Sequence, residues 1–225
     1  MPSRLEPFVN NGIFHIFNKT IDNRRVFDNS RFCSQFFGIL EYYRSGEIKF
    51  SYSKLTLLDL TIAKTYLRKI SRKVSFRINI LAFCLMPNHF HLLLKQSKDE
   101  GISHFMADVI NSFTRYSNIK LERKGPLFLP DFKSVKVNNE AQFMHVSRYI
   151  HLNPYSSGLI KSYSDLKTYT WSSFKDYINI TKNNLVSQRE ILSLFNWNRK
   201  KYERFVISNA EHQRTLELIK YAEKW

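Results

Sequence analysis

The segment 78–94, INILAFCLMPNHFHLLL, constrains the fold of this chain more than any other segment. Two apolar runs flank the dipeptide Pro87-Asn88, and each run has the length of a strand rather than of a membrane span. Proline followed by asparagine is typical of a turn. The segment therefore predicts a β-hairpin and, with it, an antiparallel sheet.

The remaining segments predict helices that alternate irregularly with two more strands. Residues 12–18 and 131–137 alternate between apolar and polar side chains, as strands do. Apolar residues recur at helical spacing in the segments 28–45, 57–71, 102–123, 139–152, 187–195 and 198–224. We expect the helix 139–152 to stop at Asn153-Pro154, because proline disfavours a helical conformation in the residue before it. This order of elements predicts an α+β fold with a central antiparallel sheet.

The charge of the chain indicates an anionic partner. The 225 residues carry a formal net charge of +16, together with 19 Phe, 12 Tyr and 3 Trp. Such a charge favours nucleic acid or an anionic membrane surface, and aromatic rings outside the core favour nucleic acid because they stack on unpaired bases. Cys33 and Cys84 lie far apart, and the first residues lack a signal-peptide core. We therefore expect a cytoplasmic protein with no disulfide framework and no membrane partner.

Two histidines, His89 and His91, interrupt the second apolar run. Residues two apart in a strand share a face, so both imidazoles point the same way while Phe90 points to the other face. This arrangement suits a metal site, for which a third ligand must come from another element. The alternative is that both histidines are hydrogen-bonded or partly exposed and bind no metal. The spacing alone leaves both interpretations open.

The helix that contains RYIHLNP presents a phenol and an amide together. Tyr149 and Asn153 lie one helical turn apart at the rim of the apolar face of that helix. Each also has a structural interpretation, Tyr149 as an amphipathic anchor and Asn153 as a helix end before proline. A rival tyrosine, Tyr116, falls inside the apolar arc of the helix 102–123, and we expect it to pack in the core.

Several motifs, in this order, resemble those of the REP-associated tyrosine transposases, which belong to the single-tyrosine, IS200-like branch of the HUH endonuclease superfamily. The motifs are LMPNHFHLLL (85–94), DFKSVKV (131–137), RYIHLNPYSSGLI (148–160) and YTWSSFKDY (169–177). The resemblance extends over about residues 12–178, apart from an insertion at about 46–75. It implies a ferredoxin-like (RRM-like) central sheet with helices packed on it, in a domain at 1–180. The linker NITKNN, residues 179–184, marks the boundary near residue 180, after which a basic helical C-terminal extension at 181–225 is expected.

The resemblance also implies a role for each residue of the two main motifs. His89 and His91 match the two metal-binding histidines of the family, Tyr149 matches its nucleophile, and Asn153 matches the amide that completes the metal site. The implied cofactor is a divalent cation, Mg²⁺ or Mn²⁺. The implied activity is nicking and strand transfer of single-stranded DNA beside hairpins or palindromic repeats, through a covalent 5′-phosphotyrosine. Such an enzyme would act as a monomer or homodimer in the bacterial cytoplasm, at the nucleoid when bound to DNA.

Basic and aromatic residues near these motifs are candidates for contacts with DNA. They are Lys95, Arg115, Lys120, Lys133, Lys136, Arg148 and Trp171. Trp171 also has a structural interpretation as a core residue. The chain departs from the family at 153–159, where NPYSSGL stands in place of the usual NPVRAGL, so we expect a DNA contact of the family to be lost or moved here.

Two other functions remain open from the sequence. One is a non-catalytic nucleic-acid-binding protein, a repressor or RNA binder, on the same fold. The other is a metal-dependent phosphodiesterase that uses activated water, although such sites usually gather carboxylates and the motifs above contain none around the histidines.

Overall fold

The computed structural model of the chain describes residues 6–55, 57–179 and 185–222. Its centre is a four-stranded antiparallel sheet of β1 (Ile13–Lys19), β2 (Ile78–Met86), β3 (His89–Gln96) and β4 (Lys133–Val137). The strands follow the order β2-β3-β1-β4, and β2 and β3 form the predicted hairpin. This strand order, with helices between the strands, is that of the ferredoxin-like fold that the family resemblance implies, and it confirms the predicted α+β class.

Helices cover both faces of the sheet. Within the described residues they are α1 (Ser30–Tyr43), α2 (Tyr52–Leu55), α3 (Leu60–Ile70), α4 (Gly101–Lys120), α5 (Glu140–Ser156), α6 (Tyr163–Thr168), α7 (Phe174–Ile178), α8 (Arg189–Ser193), α9 (Arg199–Ile207) and α10 (Ala210–Ala222). Polar side chains start several of them: Asn29, Asp59 and Asn139 accept hydrogen bonds from the first amides of α1, α3 and α5. None of the helices in the described ranges is both long and apolar enough to cross a bilayer.

Each face of the sheet has its own hydrophobic core. On one face, Phe90, Leu92 and Leu94 of β3 pack with α1 and α4. On the other face, Leu93 of β3 packs with α5 and with the helices that follow it. Because side chains alternate along a strand, His91 points to this second face, beneath α5.

The later part of the chain covers the outer edge of the sheet. The Leu85 amide of β2 donates to the Trp171 carbonyl, and the Ser187 amide donates to the Ile80 carbonyl of β2. These contacts satisfy backbone groups that an edge strand would otherwise leave open. At the other edge, β4 pairs with β1 alone within the described part of the chain.

The C-terminal helices pack onto the same core as α5. Tyr202 of α9 and Ala210 of α10 are buried together with residues of α5 and β2. The buried His151 of α5 forms hydrogen bonds with the hydroxyl groups of Tyr202 at 2.7 Å and Ser173 at 2.8 Å. These contacts tie α9 to the main domain. The predicted domain boundary near residue 180 lies outside the described residues.

The end of α5 differs from the prediction. The helix does not stop at Asn153-Pro154 but continues to Ser156, with Pro154 inside its last turn. A proline there removes one backbone hydrogen bond. The turn remains closed because the Ser157 amide donates to the Asn153 carbonyl at 3.0 Å and the Ser156 hydroxyl donates to the Leu152 carbonyl at 3.1 Å. Asn153 is therefore a residue inside the helix rather than its end.

The predicted helix 198–224 is also wrong in one respect, because it is divided into α9 and α10. The break falls at Ser208-Asn209, where the Ser208 amide closes α9 and the Asn209 carbonyl accepts from the Gln213 amide of α10. Serine and asparagine favour helix ends because their side chains compete for backbone hydrogen bonds. The break turns α10 back onto α5.

Candidate active site

His89 and His91 occupy the start of β3, directly after the hairpin turn. His89 is half-buried, and His91 is 6% exposed. A neighbour contacts one nitrogen of each ring: Asn88 Oδ1 lies 2.7 Å from His89 Nδ1, and His15 Nε2 lies 3.0 Å from His91 Nδ1. In both rings the contact is made by Nδ1, and Nε2 lies at the other end of the ring.

His15 of β1 is a third histidine at this place, and the sequence did not reveal it. In the register of the two strands His15 faces Leu93 and His91 faces Phe17, so the two imidazoles meet diagonally across the strands. Their ring centroids are 5.1 Å apart. The alternation of β1 predicts that His15 shares a face of the sheet with Phe17. Only the pairing register of β1 with β3 shows that this face places His15 next to His91.

Burial favours the neutral form of all three imidazoles. Desolvation lowers the pKa of His15 and of His89 to about 4, and the positive charge of Lys19 is a further cause at His89. Desolvation, with the proximity of His15 and His89, lowers the pKa of His91 well below its ordinary value. A neutral imidazole has an electron pair that a cation can use.

The Tyr149 ring of α5 lies beside two of these histidines, His91 and His15. Its ring centroid is 5.7 Å from that of His91, with an interplanar angle of 90°, and 5.9 Å from that of His15, with an angle of 68°. The tyrosine is half-buried. The crossing of α5 over the sheet therefore brings one phenol edge-on to two imidazoles.

Two amide side chains meet at the backbone of Tyr149. Asn153 Nδ2 and Gln213 Nε2 each donate to the Tyr149 carbonyl oxygen at 3.1 Å. Gln213, which comes from α10, also donates to the Ser156 hydroxyl at 3.2 Å. The Asn153 amide uses its nitrogen, Nδ2, for this bond. Its oxygen, Oδ1, is the atom of the amide that carries electron pairs. Gln213 was not predicted, since no motif surrounds it.

The chemistry of these side chains fits a divalent cation. His89 and His91 offer imidazole nitrogens and Asn153 offers an amide oxygen, and all three donors are neutral. Each histidine has a hydrogen-bonding neighbour behind it, as metal-binding histidines usually have. Among the described residues no group of three or more His, Cys, Asp or Glu side chains is placed to hold an ion.

Tyr116 lies on the other face of the sheet, in α4. Its ring packs against Phe32 at 5.4 Å and Phe113 at 6.3 Å, measured between ring centroids. These rings belong to, or border, the core under α1 and α4. The sheet separates Tyr116 from His91, as expected for a tyrosine that packs rather than reacts.

The predicted DNA contacts fall on both sides of the sheet. Lys133 of β4 pairs with Phe17, so it shares the face of the histidines. Lys136 pairs with Phe14 and points to the opposite face. Arg115 and Lys120 belong to α4, which also lies on that opposite side.

The other three predicted DNA contacts have partners within the protein. Lys95 forms an ion pair at 3.7 Å with a carboxylate of α8. The Arg148 guanidinium lies 4.5 Å from the centroid of the Phe205 ring, and desolvation lowers its pKa. The Trp171 ring stacks on Phe37 at 5.5 Å, beside the core under α1.

Lys19 is a second basic residue on the histidine side, and the sequence did not reveal it. It lies opposite His89 in the register of β1 and β3, so the two side chains share a face, and it is exposed. Together with Lys133 it places two positive charges on the side of the sheet that carries the histidines. As with His15, the strand register rather than any motif identifies it.

Two comparisons with known proteins found a match to transposases. Residues 52–153 match the family model described as transposase IS200-like. The matched range starts inside the predicted insertion at 46–75, contains His89, His91 and Tyr149, and ends at Asn153. No curated protein matches the chain in sequence.

A solved structure is similar to this chain in fold. It is that of the REP-associated tyrosine transposase bound to a REP hairpin. The two share 14% sequence identity with a TM-score of 0.53, over 83% of this chain and 98% of that chain. The fold is thus similar to that of a tyrosine transposase, and residues 52–153 are similar in sequence to the IS200-like transposases.

Proposed function

We propose that this protein nicks single-stranded DNA and transfers the cut strand, through a covalent bond between Tyr149 and a 5′-phosphate. The observation that carries the proposal is the position of the Tyr149 ring, edge-on to His91 at 5.7 Å. The family match supports it, because both the histidine pair and the tyrosine lie within the matched residues.

The proposed metal ligands are His89, His91 and Asn153, through the two Nε2 atoms and the amide Oδ1. A divalent cation, Mg²⁺ or Mn²⁺, would supply polarisation of the scissile phosphate and offset the charge that develops on it. The neutral side chains around it leave the positive charge of such a site uncompensated, which suits an anionic substrate. The lowered pKa values of His89 and His91 support this role, because protons then compete little for the same nitrogens.

The chemical step exchanges one phosphodiester bond for another. The phenol of Tyr149 loses its proton, and its oxygen forms a bond to the phosphorus. The bond from phosphorus to the 3′-oxygen breaks, and that oxygen takes up a proton and leaves as a free 3′-hydroxyl. The ester retains the energy of the bond, so a 3′-hydroxyl can attack it, rejoin a strand and release Tyr149.

The proposed substrate is single-stranded DNA next to a hairpin or palindromic repeat. The net charge of +16 supports a polyanionic partner. The similar transposase was solved bound to a REP hairpin, which supports the same class of substrate here. We also propose that the protein acts in the cytoplasm of a bacterial cell, as a monomer or homodimer.

Covalent capture of labelled DNA tests this proposal. The full chain is incubated with Mn²⁺ and a pool of hairpins with randomised single-stranded flanks, labelled at the 3′ end, and then denatured. We expect a labelled protein band that Tyr149→Phe abolishes and Tyr116→Phe retains, while a 5′ label is released with the cut fragment. An adduct that survives in Tyr149→Phe would contradict the assignment of the nucleophile.

Two other outcomes correspond to the alternative functions. Salt-sensitive DNA or RNA binding with no adduct under Mg²⁺ or Mn²⁺ would indicate a non-catalytic nucleic-acid-binding protein. Cleavage without any protein–DNA linkage would indicate a phosphodiesterase that uses water. Either result would overturn the proposal.

A further inference from the structure

His15 makes a contact that packing alone does not require. Its Nε2 atom lies 3.0 Å from His91 Nδ1, and the two residues are only 8% and 6% exposed. This separation is that of a hydrogen bond between ring nitrogens. The planes of the two rings are inclined by 29°. The neighbouring Phe17 ring, 5.1 Å from that of His15, helps to cover this pair.

A hydrogen bond between two neutral imidazoles fixes the proton on each ring. One nitrogen must carry the hydrogen and the other must offer its electron pair, and a neutral imidazole carries only one N–H. If His15 Nε2 donates, His91 carries its proton on Nε2 and has no electron pair there for a cation. If His91 Nδ1 donates, its Nε2 keeps the electron pair. Only the second arrangement allows His91 to bind a cation through Nε2.

His89 shows the same arrangement with a different neighbour. Asn88 Oδ1, 2.7 Å from His89 Nδ1, can only accept, so the hydrogen lies on Nδ1 of His89. A hydrogen-bonding neighbour thus lies beside Nδ1 of both histidines of the pair, one from the hairpin turn and one from β1. The family match begins at residue 52 and therefore does not include His15.

We infer that His15 is a positioning residue, which accepts a hydrogen bond from His91 Nδ1 and so holds His91 in the tautomer that binds a cation through Nε2. The inference rests on the proposed function, because it concerns the same site. It also concerns Tyr149, since the His15 ring lies edge-on to that phenol at 5.9 Å. His15 itself uses its Nε2 atom for His91 and is not proposed as a metal ligand.

Three variants of the full chain test the inference by Mn²⁺ affinity, measured by calorimetry. His15→Leu removes the acceptor, and we expect Mn²⁺ to bind about 10-fold to 100-fold more weakly, the effect typical of losing such a neighbour. His15→Gln places an amide oxygen at a similar reach and should recover most of the affinity. His104→Gln, at an exposed histidine of α4, serves as the control and should leave the affinity unchanged. Affinity in His15→Leu within twofold of the unmodified chain would overturn the inference.

The tautomer of His91 provides a second measurement that needs no variant. Long-range ¹⁵N–¹H correlation spectra of the metal-free protein should show the His91 hydrogen on Nδ1, and a hydrogen on Nε2 would overturn the inference. This readout decides the matter even if His15→Leu fails to fold. If the unmodified chain binds Mn²⁺ and forms the adduct, and His15→Leu binds Mn²⁺ with an affinity within twofold, only the inference fails. If the unmodified chain forms no adduct, the proposed function fails, and the spectra still report on His15.

Discussion

Gln213 of α10 donates a hydrogen bond to the carbonyl oxygen of Tyr149 at 3.1 Å, so the C-terminal part of the chain holds the helix that carries the proposed nucleophile. The same side chain reaches the Ser156 hydroxyl, in the turn that contains Pro154. The C-terminal helices therefore belong to the structural support of the site.

Gln213→Leu should weaken both the fold and the proposed reaction. Removing these two hydrogen bonds, one buried and one part-buried, is expected to lower the free energy of unfolding by about 1–3 kcal/mol. The rate of adduct formation at full folding should also decrease, because α5 loses a contact at Tyr149. Urea unfolding and single-turnover capture measure the two effects. His212→Ala, the exposed neighbour, should change neither, and an unchanged adduct rate in Gln213→Leu would show that α10 does not position the tyrosine.

The two lysines of β4 offer a matched test of which side of the sheet binds DNA. Lys133→Gln and Lys19→Gln each remove a charge on the histidine side, and each should reduce the salt dependence of single-stranded DNA binding by about 0.7 in log K per log salt. Lys136→Gln removes the same charge from the opposite face and should leave the slope unchanged. Fluorescence anisotropy at several salt concentrations measures these slopes. A larger effect at Lys136 than at Lys133 would place the DNA on the other side.

Cation binding should persist in mild acid. Two ordinary histidines with a pKa of about 6.5 would lose about a hundredfold in affinity between pH 7.5 and pH 5.5. Burial lowers the pKa of His89 to about 4 and that of His91 well below its usual range, so both remain neutral at pH 5.5. We therefore expect a decrease of less than about threefold in Mn²⁺ affinity, measured by calorimetry. A hundredfold decrease would mean that the histidines are more exposed than they are in this structure.

The stability of the fold should decrease in acid, with His151 as one cause. Burial lowers the pKa of His151 to about 3, from an ordinary value of 6.5. The unfolded chain therefore takes up the proton first, and stability is complete above pH 6.5 and decreases as the pH falls toward 3. For this group the slope is about 1.4 kcal/mol per pH unit within that window.

A variant isolates the contribution of His151 to that slope. His151→Gln should reduce the pH dependence of the free energy of unfolding between pH 6.5 and pH 4.5 by about one proton. It should also lower stability at pH 7, because the buried hydroxyl groups of Tyr202 and Ser173 lose a partner. His104→Gln, at an exposed position, should leave the slope as it is. An unchanged slope in His151→Gln would mean that this imidazole takes up its proton in the folded state as readily as in water.

The sequence predicts the sheet and the histidine face well, because both depend on local patterns. The apolar runs around Pro87-Asn88 determine the hairpin, and the alternation of β3 determines that His89 and His91 share a face. The predicted end of α5 at Leu152 was wrong, because hydrogen bonds in the last turn of the helix compensate for Pro154. The formation of these bonds depends on the surrounding structure.

The unpredicted residues of the site come from tertiary contacts. His15 meets His91 only through the register of β1 and β3, which residues far apart in the chain determine. Gln213 reaches Tyr149 only because the break at Ser208-Asn209 turns α10 onto α5. No motif marks the register, and Ser208-Asn209 is only a weak signal for the break.

The most direct test of the central claim is to locate the bond between protein and DNA. The adduct formed with Mn²⁺ is digested with trypsin and nuclease, and the peptide that retains a nucleotide is sequenced by mass spectrometry. We predict that the nucleotide is attached through a 5′-phosphate to the Tyr149 side chain, in the peptide that begins after Arg148. A nucleotide on Tyr116 or on any other residue would contradict the assignment of Tyr149 as the nucleophile.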